Sequence, residues 1–326
     1  MPRLLTFNPE TDYALASGRE NYTPPKHVVE LRRKFAMLPA LYADRGDAIL
    51  IVDTLSEEEL ASYPYYKEAT TKGVRIVEAT SARDFDASGY TADPWGWNPQ
   101  IRRCFLDLFG MKLTLPSAEY IGRLRALSHR RTTILMLTEL RDVTGHGIML
   151  PEEVTSAERG LEILDEYGAV YFKAPWSSSG RGILHTDGIE SYRVEQWLRG
   201  TIRKQGSAMA EKAYSRSLDF ASEWSCRDGL SHFLGFSVFQ TTSRGNYKSN
   251  IYLPQSELRK HISAHTPMDL DLLIERQRMA LDAIVAATYN GPVGIDMLVT
   301  PEGEINPCVE LNLRHTMGMI YLEVKR

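Results

Sequence analysis

The sequence has few cysteines and no long apolar run. Its three cysteines, Cys104, Cys226 and Cys308, lie far apart among 326 residues and form no CxxC pair. This number and spacing argue against a disulfide framework and a cysteine zinc site, and they fit a reducing compartment. No uninterrupted apolar run approaches the roughly 20 residues that span a bilayer. We therefore expect a cytoplasmic protein without a membrane partner.

An excess of positive charge is also absent. The 38 Lys and Arg residues stand against 42 Asp and Glu residues, which gives a formal net charge of −4. This balance provides no general attraction to nucleic acid, so we expect no nucleic-acid partner. The sequence also lacks GxxxxGK[ST], GxSxG and HExxH, and no GxGxxG follows a strand. P-loop, dinucleotide-binding, α/β-hydrolase and zincin signatures are therefore missing.

The composition is that of a folded protein with two or three packed units, since 43% of the residues are hydrophobic and 25% are charged. Short apolar runs at 4–7, 48–52 and 74–77, with a helical pattern around 27–43, predict a parallel sheet with crossover helices that ends near residue 116. Ligands of such sheets bind beyond the carboxyl ends of the strands.

The remaining two thirds predict a mixture of helices and hairpins. Helices are expected over 117–140, 156–167, 192–204 and 270–289, and strands over 169–173, 208–212, 220–226, 230–240, 293–299 and 304–313. Thr155 and Glu158 have the spacing of a capping box, and Gly168 is a suitable helix stop. Asp228-Gly229 predicts the turn of the first hairpin.

The last hairpin carries the most informative group of residues. A turn centred on Gly303 places Asp296 and Glu310 opposite each other, with Cβ atoms roughly 5 Å apart. Alternation along the strand puts Glu310, Asn312 and Arg314 on one face. Two carboxylates and an amide oxygen are typical ligands of Mg²⁺ or Mn²⁺. The residues alone leave a second interpretation open, an edge hairpin with solvated acids, one of them paired with Arg314.

A Ser/Gly-rich stretch follows the strand that ends at Lys173. Residues 177–182 offer successive backbone N–H groups with little steric hindrance at Gly180 and Gly182, and such a run forms an anion-binding nest. With its hydroxyls and Arg181, the stretch suits a polyphosphate. The alternative is an ordinary surface loop.

The order of these features resembles the ATP-grasp superfamily. The similarity covers about residues 117–318. It rests on Lys173 with the Ser/Gly-rich stretch, on Glu211-Lys212-Ala213-Tyr214, on Gly294-Ile295-Asp296 and on Glu310-Leu311-Asn312-Leu313-Arg314. The resemblance implies an α/β fold of mixed α+β type in three parts. These are an N-terminal α/β domain (1–116), a helical segment with a small central lid domain (117–212), and a C-terminal domain with an antiparallel sheet and the metal site (213–326).

The resemblance also implies roles for individual residues. Asp296, Glu310 and Asn312 match the ligands of one or two magnesium ions. Lys173 matches the lysine on the α and β phosphates of ATP, and Arg314 matches an arginine at the transferring phosphoryl group. The resemblance further implies that Arg130 or Arg131 takes the place of a phosphate-binding lysine, and that Asp219 or Glu223 binds the ribose. The residues implied over the triphosphate are Ser178, Ser179, Gly180, Arg181 and Gly182. Those implied at the adenine are Glu211, Lys212, Ala213 and Tyr214.

On this resemblance we expect an ATP- and Mg²⁺-dependent ligase that joins a small-molecule carboxylate to an amine through an acyl-phosphate. The alternatives are a phosphotransferase that uses a hydroxyl, and a catalytically silent nucleotide-binding module, because Gly294 stands where some ligases carry an arginine. The oligomeric state is open, with a homodimer as one candidate. Candidates for contacts with the acceptor substrate are Asn8, Glu10 and Asp12 after the first strand, Trp97 and Asn98, and residues 241–247, including Arg244. For each of them a purely structural role in its loop is the favoured alternative.

Overall fold

The computed structural model describes residues 1–177, 182–241 and 247–324. The chain forms two compact units, residues 1–125 and residues 126–322. Among the described residues, no helix combines the length and the apolar character that a membrane crossing requires. The three-part division expected from the sequence stays a prediction.

The first unit is built on a parallel sheet, as predicted. Its strands are β1 (Arg3–Thr6), β2 (Ala48–Ile51), β3 (Arg75–Glu78) and β4 (Thr91–Pro94), and its helices are α1 (Thr11–Ser17), α2 (Lys26–Lys34), α3 (Glu57–Ser62), α4 (Tyr66–Lys72), α5 (Pro99–Phe109) and α6 (Ala118–Leu127). The strands pair in parallel in the order β3-β2-β1-β4. Leu4 and Leu50 of the sheet pack with Phe105 and Phe109 of α5 in one core.

The helix expected over 27–43 is shorter than the pattern indicated. It ends at Lys34, and a separate 3₁₀ turn occupies Leu38–Leu41. Pro39 explains the break, because proline has no backbone N–H and starts a new helical turn more easily than it continues an existing helix.

The second unit contains two mainly antiparallel sheets and the helices that cover them. Its strands are β5 (Glu152–Val154), β6 (Val170–Lys173), β7 (Ile183–His185), β8 (Ala208–Lys212), β9 (Leu218–Arg227), β10 (Leu230–Thr241), β11 (Tyr247–Asn250), β12 (Gly291–Val299) and β13 (Ile305–Asn312). Its helices are α7 (Thr132–Glu139), α8 (Ala157–Tyr167), α9 (Ser191–Gln205), α10 (Gln255–Ser263), α11 (Leu270–Leu281) and α12 (Met317–Val324).

The smaller sheet of this unit has the order β5-β8-β6-β7, and all of its pairs are antiparallel. Helices α8 and α9 bury their apolar side chains against it, with Phe172 and Leu198 in the shared core. Ser156 caps α8 by accepting a hydrogen bond from the backbone of Arg159, so the cap lies one residue beyond the predicted Thr155. Gly168 ends the helix with φ 73°, as expected.

The larger sheet has the order β11-β10-β9-β12-β13. Asp228 (φ 53°) and Gly229 (φ 81°) form the β9–β10 turn, and positive φ at both positions is typical of a type I′ hairpin. The predicted 117–140 helix is in fact α6 and α7, and the predicted 270–289 helix is α11 followed by a π turn over Asp282–Ala286.

Candidate active site

Asp296 and Glu310 face each other across β12 and β13, as predicted. The turn itself differs from the expectation, because it pairs Val299 with Ile305 and is therefore centred on residue 302. Between the pair Leu298–Asn306 and the pair Asp296–Glu310, β12 contributes one residue and β13 contributes three. The irregularity adds an even number of residues to β13, so the alternation of faces is kept and the two carboxylates share one side of the sheet.

Each of the two acids accepts a hydrogen bond from a neighbouring side chain. Asn312 donates from Nδ2 to Asp296 Oδ2 at 3.2 Å, and Arg314 donates from Nη2 to Asn312 Oδ1 at 2.9 Å. Arg130 donates from Nη2 to Glu310 Oε1 at 2.6 Å. Glu310 is therefore neither freely solvated nor unpaired, which disfavours an edge hairpin with solvated acids.

The electrostatic surroundings of Asp296 are unfavourable for its charge. Burial, the neighbouring carboxylate of Glu310 and that of Glu223 together raise the pKa of Asp296 to about 7. The hydrogen bond from Asn312 and the positive charge of Arg314 act in the opposite direction but do not compensate. An additional cation between the carboxylates would remove this deficit.

The donor set fits a hard cation that takes part of its ligands from elsewhere. Asp296, Glu310 and Asn312 offer only oxygen ligands to a metal. Within the described ranges, no group of three or more His, Cys, Asp or Glu side chains is arranged to hold a metal ion. The candidate magnesium site thus consists of two carboxylates and one amide, and it requires further oxygens from water or from phosphate.

Arg130 and Arg131, which the sequence could not distinguish, have different surroundings. Besides Glu310, the side chain of Arg130 contacts the residues that follow β6, where Nη1 donates to Ala174 O and to Ser177 Oγ, both at 2.7 Å. Arg131 lies instead at 3.1 Å from Glu153 Oε1 and is largely exposed. The group near the candidate metal site is therefore Arg130.

Lys173 ends β6 next to a pocket of the second unit. It is 5% exposed, and its Nζ lies 2.5 Å from Glu211 Oε2 on the neighbouring β8. The other oxygen of that carboxylate, Glu211 Oε1, is buried and has no hydrogen-bond partner within the part of the chain that the structure describes. The space at this pocket, counted together with the solvent-open region at its mouth, is about 440 Å³. Its lining comprises Met149, Pro151, Tyr171, Lys173, Glu211, Lys212, Tyr214, Arg216, Leu298, Asn306, Cys308 and Val309.

The segment predicted to contact adenine forms one wall of this pocket. β5 pairs with β8 only along residues 208–210, so β8 has no partner on that side beyond Ala210 among the described strands. Ala213 donates its backbone N–H to Ala169 O at 3.0 Å on the opposite side, next to β6. Tyr214 accepts a hydrogen bond from the backbone of Met149 at 2.8 Å. The open side of this wall therefore offers backbone groups to a ligand.

The two candidates for the ribose contact differ in accessibility. Asp219 is partly buried, and its Oδ1 lies 3.4 Å from Nη1 of Arg216, which lines the pocket. Glu223 is 1% exposed, and its oxygens accept hydrogen bonds from the hydroxyls of Ser237 and Thr316, both at 2.8 Å. Burial raises the pKa of Glu223 to about 7 in spite of these bonds. These surroundings favour Asp219, although the assignment stays a prediction.

Several predicted contacts lie outside the described residues. They are Ser178, Ser179, Gly180 and Arg181 of the Ser/Gly-rich stretch, and residues 242–246, which include Arg244. Gly182 is described, with φ 69°, and its carbonyl accepts a hydrogen bond from the backbone of Ala174 at 2.7 Å. A Cβ atom there would come within 2.9 Å of the Ser177 side chain, so this position requires glycine for both reasons.

The residues predicted to contact an acceptor in the first unit have structural partners. Asn8 donates to the carbonyl of Gly96 at 2.8 Å, and Asn98 caps α5. Glu10 accepts a hydrogen bond from Arg32 at 2.7 Å. Asp12 lies in the first turn of α1, and the ring of Trp97 packs against that of Phe105 with centroids 5.8 Å apart. Their roles toward a substrate stay predictions.

Sequence reasoning missed two groups. Arg32 bridges Glu10 and Asp53, and Asp53 follows β2 just as Glu10 follows β1, so the rule on carboxyl ends of strands would have found it. In the pocket, Arg216 lies over the ring of Tyr171 at 5.3 Å from its centroid. No local sequence motif predicts that contact.

No protein-family model matches this chain, and no curated protein does. Solved structures do match. A biotin carboxylase–β,γ-ATP complex from Campylobacter jejuni is 14% identical with a TM-score of 0.57, over 100% of this chain and 70% of that chain. The biotin carboxylase domain dimer of 2-oxoglutarate carboxylase from Hydrogenobacter thermophilus, with MgADP, ADP and bicarbonate, is 12% identical with a TM-score of 0.52, over 100% of this chain and 69% of that chain.

A third match is an N5-carboxyaminoimidazole synthetase from Staphylococcus aureus, 8% identical with a TM-score of 0.52, over 98% of this chain and 74% of that chain. At these identities the likeness concerns the fold alone. The mixed α/β architecture described above, with its parallel and antiparallel sheets, is that of these proteins. The chain therefore shares the fold of these solved structures, in agreement with the fold that the resemblance to the ATP-grasp superfamily implied.

Proposed function

We propose that this protein is an ATP- and Mg²⁺-dependent ligase that joins a small-molecule carboxylate to an amine. The observation that carries the proposal is the convergence, within one unit, of oxygen ligands and positive charges. Asp296, Glu310 and Asn312 supply the oxygens, and Arg130 and Arg314 are hydrogen-bonded to two of them. Such a mixture suits a polyphosphate with a divalent cation better than it suits either one alone.

The pocket beside Lys173 supports nucleotide binding in the same unit. Its walls combine apolar atoms of Met149 and Leu298 with a buried lysine and with Glu211 Oε1, an acceptor that no described residue pairs. An adenine ring would pack between the apolar groups and meet the open backbone edge at Lys212. Two structural neighbours, the Campylobacter and Hydrogenobacter proteins, are complexes with β,γ-ATP and with MgADP. Their ligands favour the same class of ligand here.

In the proposed reaction, phosphoryl transfer needs positive charge and positioning more than it needs covalent help from the protein. Asp296, Glu310 and Asn312 would hold Mg²⁺, which neutralises charge on the phosphates when it is bound. Lys173 would bind the α and β phosphates, and Arg314 would contact the phosphoryl group in transfer. The substrate carboxylate would attack the γ-phosphate to give an acyl-phosphate and ADP, and the amine would then displace phosphate to form an amide.

The test is ADP release in the presence of Mg²⁺ and pools of small carboxylic acids and amines. Glu310→Gln is expected to abolish the release while the variant keeps its fold by circular dichroism. Glu302→Gln is the matched control, because Glu302 is an exposed acid in the turn of the same hairpin. Unchanged ADP release in Glu310→Gln would defeat the assignment.

The products separate the alternatives. A stable phosphorylated product without an amide indicates a phosphotransferase, and tight MgATP binding without turnover in any pool indicates a silent nucleotide-binding module. The oligomeric state, for which a homodimer is one candidate, is measured separately by light scattering.

A further inference from the structure

Arg130 forms an ion pair with Glu310, whose carboxylate the proposed metal site needs. Its Nη2 lies 2.6 Å from Glu310 Oε1, and its side chain is 5% exposed whereas that of Glu310 is 24% exposed. Arg314 engages a second candidate ligand in the same way, through Asn312 Oδ1. In this state, two of the three candidate ligands direct an oxygen at an arginine. A guanidinium and a divalent cation compete for such an oxygen, because each satisfies the same negative charge.

Arg130 also contacts the chain directly after Lys173. Its Nη1 donates to Ala174 O and Ser177 Oγ, and its backbone N–H donates to Pro175 O at 3.1 Å. The buried guanidinium thus bridges the end of β6 and the β12–β13 hairpin. Its Nε is buried without a hydrogen-bond partner among the described residues, so the contacts within that part of the chain do not use all of its donors. A guanidinium binds phosphate with the same planar fork that it offers to a carboxylate.

We propose that Arg130 exchanges Glu310 for a phosphate of the nucleotide, so that a divalent cation gains Glu310 only after the nucleotide has bound. The proposal rests on the function proposed above and adds an order of binding to it. Free protein binds a divalent cation weakly, because the arginine holds the carboxylate. Nucleotide binding withdraws the arginine and completes the metal site. By linkage, the cation then strengthens nucleotide binding by the same factor.

The first test uses Mn²⁺ alone, titrated into protein without nucleotide and followed by the electron paramagnetic resonance signal of free Mn²⁺. Arg130→Gln is expected to bind Mn²⁺ on the order of tenfold more tightly than the wild type, because Glu310 is released. Arg131→Gln is the matched control, since it removes the same charge from the adjacent residue, whose side chain is 55% exposed and pairs with Glu153. Equal Mn²⁺ affinity in Arg130→Gln and Arg131→Gln overturns the exchange.

The second test measures binding of a non-hydrolysable ATP analogue with Mg²⁺ by calorimetry. Arg130→Gln is expected to bind it on the order of tenfold more weakly, because a phosphate contact is lost. Tighter Mn²⁺ and weaker nucleotide binding in one variant support the exchange, whereas weakening of both overturns it. Wild-type protein provides a check that needs no variant, since Mn²⁺ that binds equally tightly with and without the analogue overturns the exchange. Wild-type protein that binds no analogue at all overturns the proposed function itself.

Discussion

Asp296 lies directly opposite Glu310 across β12 and β13, and the two carboxylates share one face of the sheet. Because burial and the charge of Glu310 raise the pKa of Asp296 to about 7, the pair opposes folding whenever both groups are ionised and no cation is present. The two neighbouring carboxylates therefore serve the proposed function but lower the stability of the folded protein.

Asp296→Asn should stabilise the protein at pH 8 in EDTA, because a neutral amide of similar shape removes the repulsion. We expect the midpoint of thermal unfolding to rise by about 2–4 °C. With Mg²⁺ and a non-hydrolysable ATP analogue the order should reverse, because the wild type gains stability from its ligands. Asp271→Asn changes an exposed acid and should alter neither value. A variant that melts below the wild type in EDTA contradicts the prediction.

Glu223 should make stability depend on pH. Burial raises its pKa from 4.5 to about 7, so the folded protein retains a proton that the unfolded chain releases. Stability from this group is therefore full at low pH and is lost as the pH rises through the interval between these two values. At pH 8 the raised pKa of Glu223 lowers the free energy of unfolding by roughly 3 kcal/mol.

Glu223→Gln should remove this dependence, because its amide can still bond to the Ser237 and Thr316 hydroxyls without ionising. The free energy of unfolding of Glu223→Gln in urea, minus that of the wild type, should increase by about 3 kcal/mol from pH 4 to pH 8. Glu58→Gln, at an exposed position in α3, should follow the wild type at every pH. Parallel pH profiles for Glu223→Gln and the wild type would refute the assignment of the raised pKa.

Much of the fold follows from local patterns in the sequence. The bounds of β8 were predicted as they are. Asp228-Gly229 specified the β9–β10 turn, because few residues accept positive φ. β4 and α5 were missed, because the run from Trp95 to Pro99 reads as a turn. Proline in fact occupies the first position of α5, directly after the capping residue Asn98.

The candidate site was predictable only in part. The pairing of Asp296 with Glu310 was expected from a turn centred one residue too late, and the additional residues of β13 compensate for that displacement. The bond between Arg130 and Glu310 joins positions 180 residues apart. Local spacing carries no information about such a pair, since the acceptor of a guanidinium depends on how the elements pack.

The ion pair of Lys173 with Glu211 should be costly to break from one side. Both side chains are largely buried, so Glu211→Gln leaves the lysine charge without compensation, and we expect a loss of about 3 kcal/mol in urea unfolding. The double variant Lys173→Met, Glu211→Leu should recover most of this loss but should not bind the ATP analogue. Glu195→Gln breaks an exposed pair with Arg199 and should cost less than about 1 kcal/mol. A double variant no more stable than Glu211→Gln would count against a buried, uncompensated charge.

Two glycine-to-alanine substitutions should have opposite effects because of their surroundings. A Cβ atom at Gly318 in α12 would overlap Glu223 Oε1 and the side chain of Ser237, which are themselves hydrogen-bonded. Gly318→Ala should therefore lower the free energy of unfolding by about 1–3 kcal/mol. At Gly122 in α6, no described atom outside the local helix backbone lies within 4 Å of the corresponding position, so Gly122→Ala should raise it by about 0.5–1 kcal/mol. Because the chemical change is identical, stability of Gly318→Ala at or above the wild-type level would show that α12 does not pack on the Glu223 carboxylate.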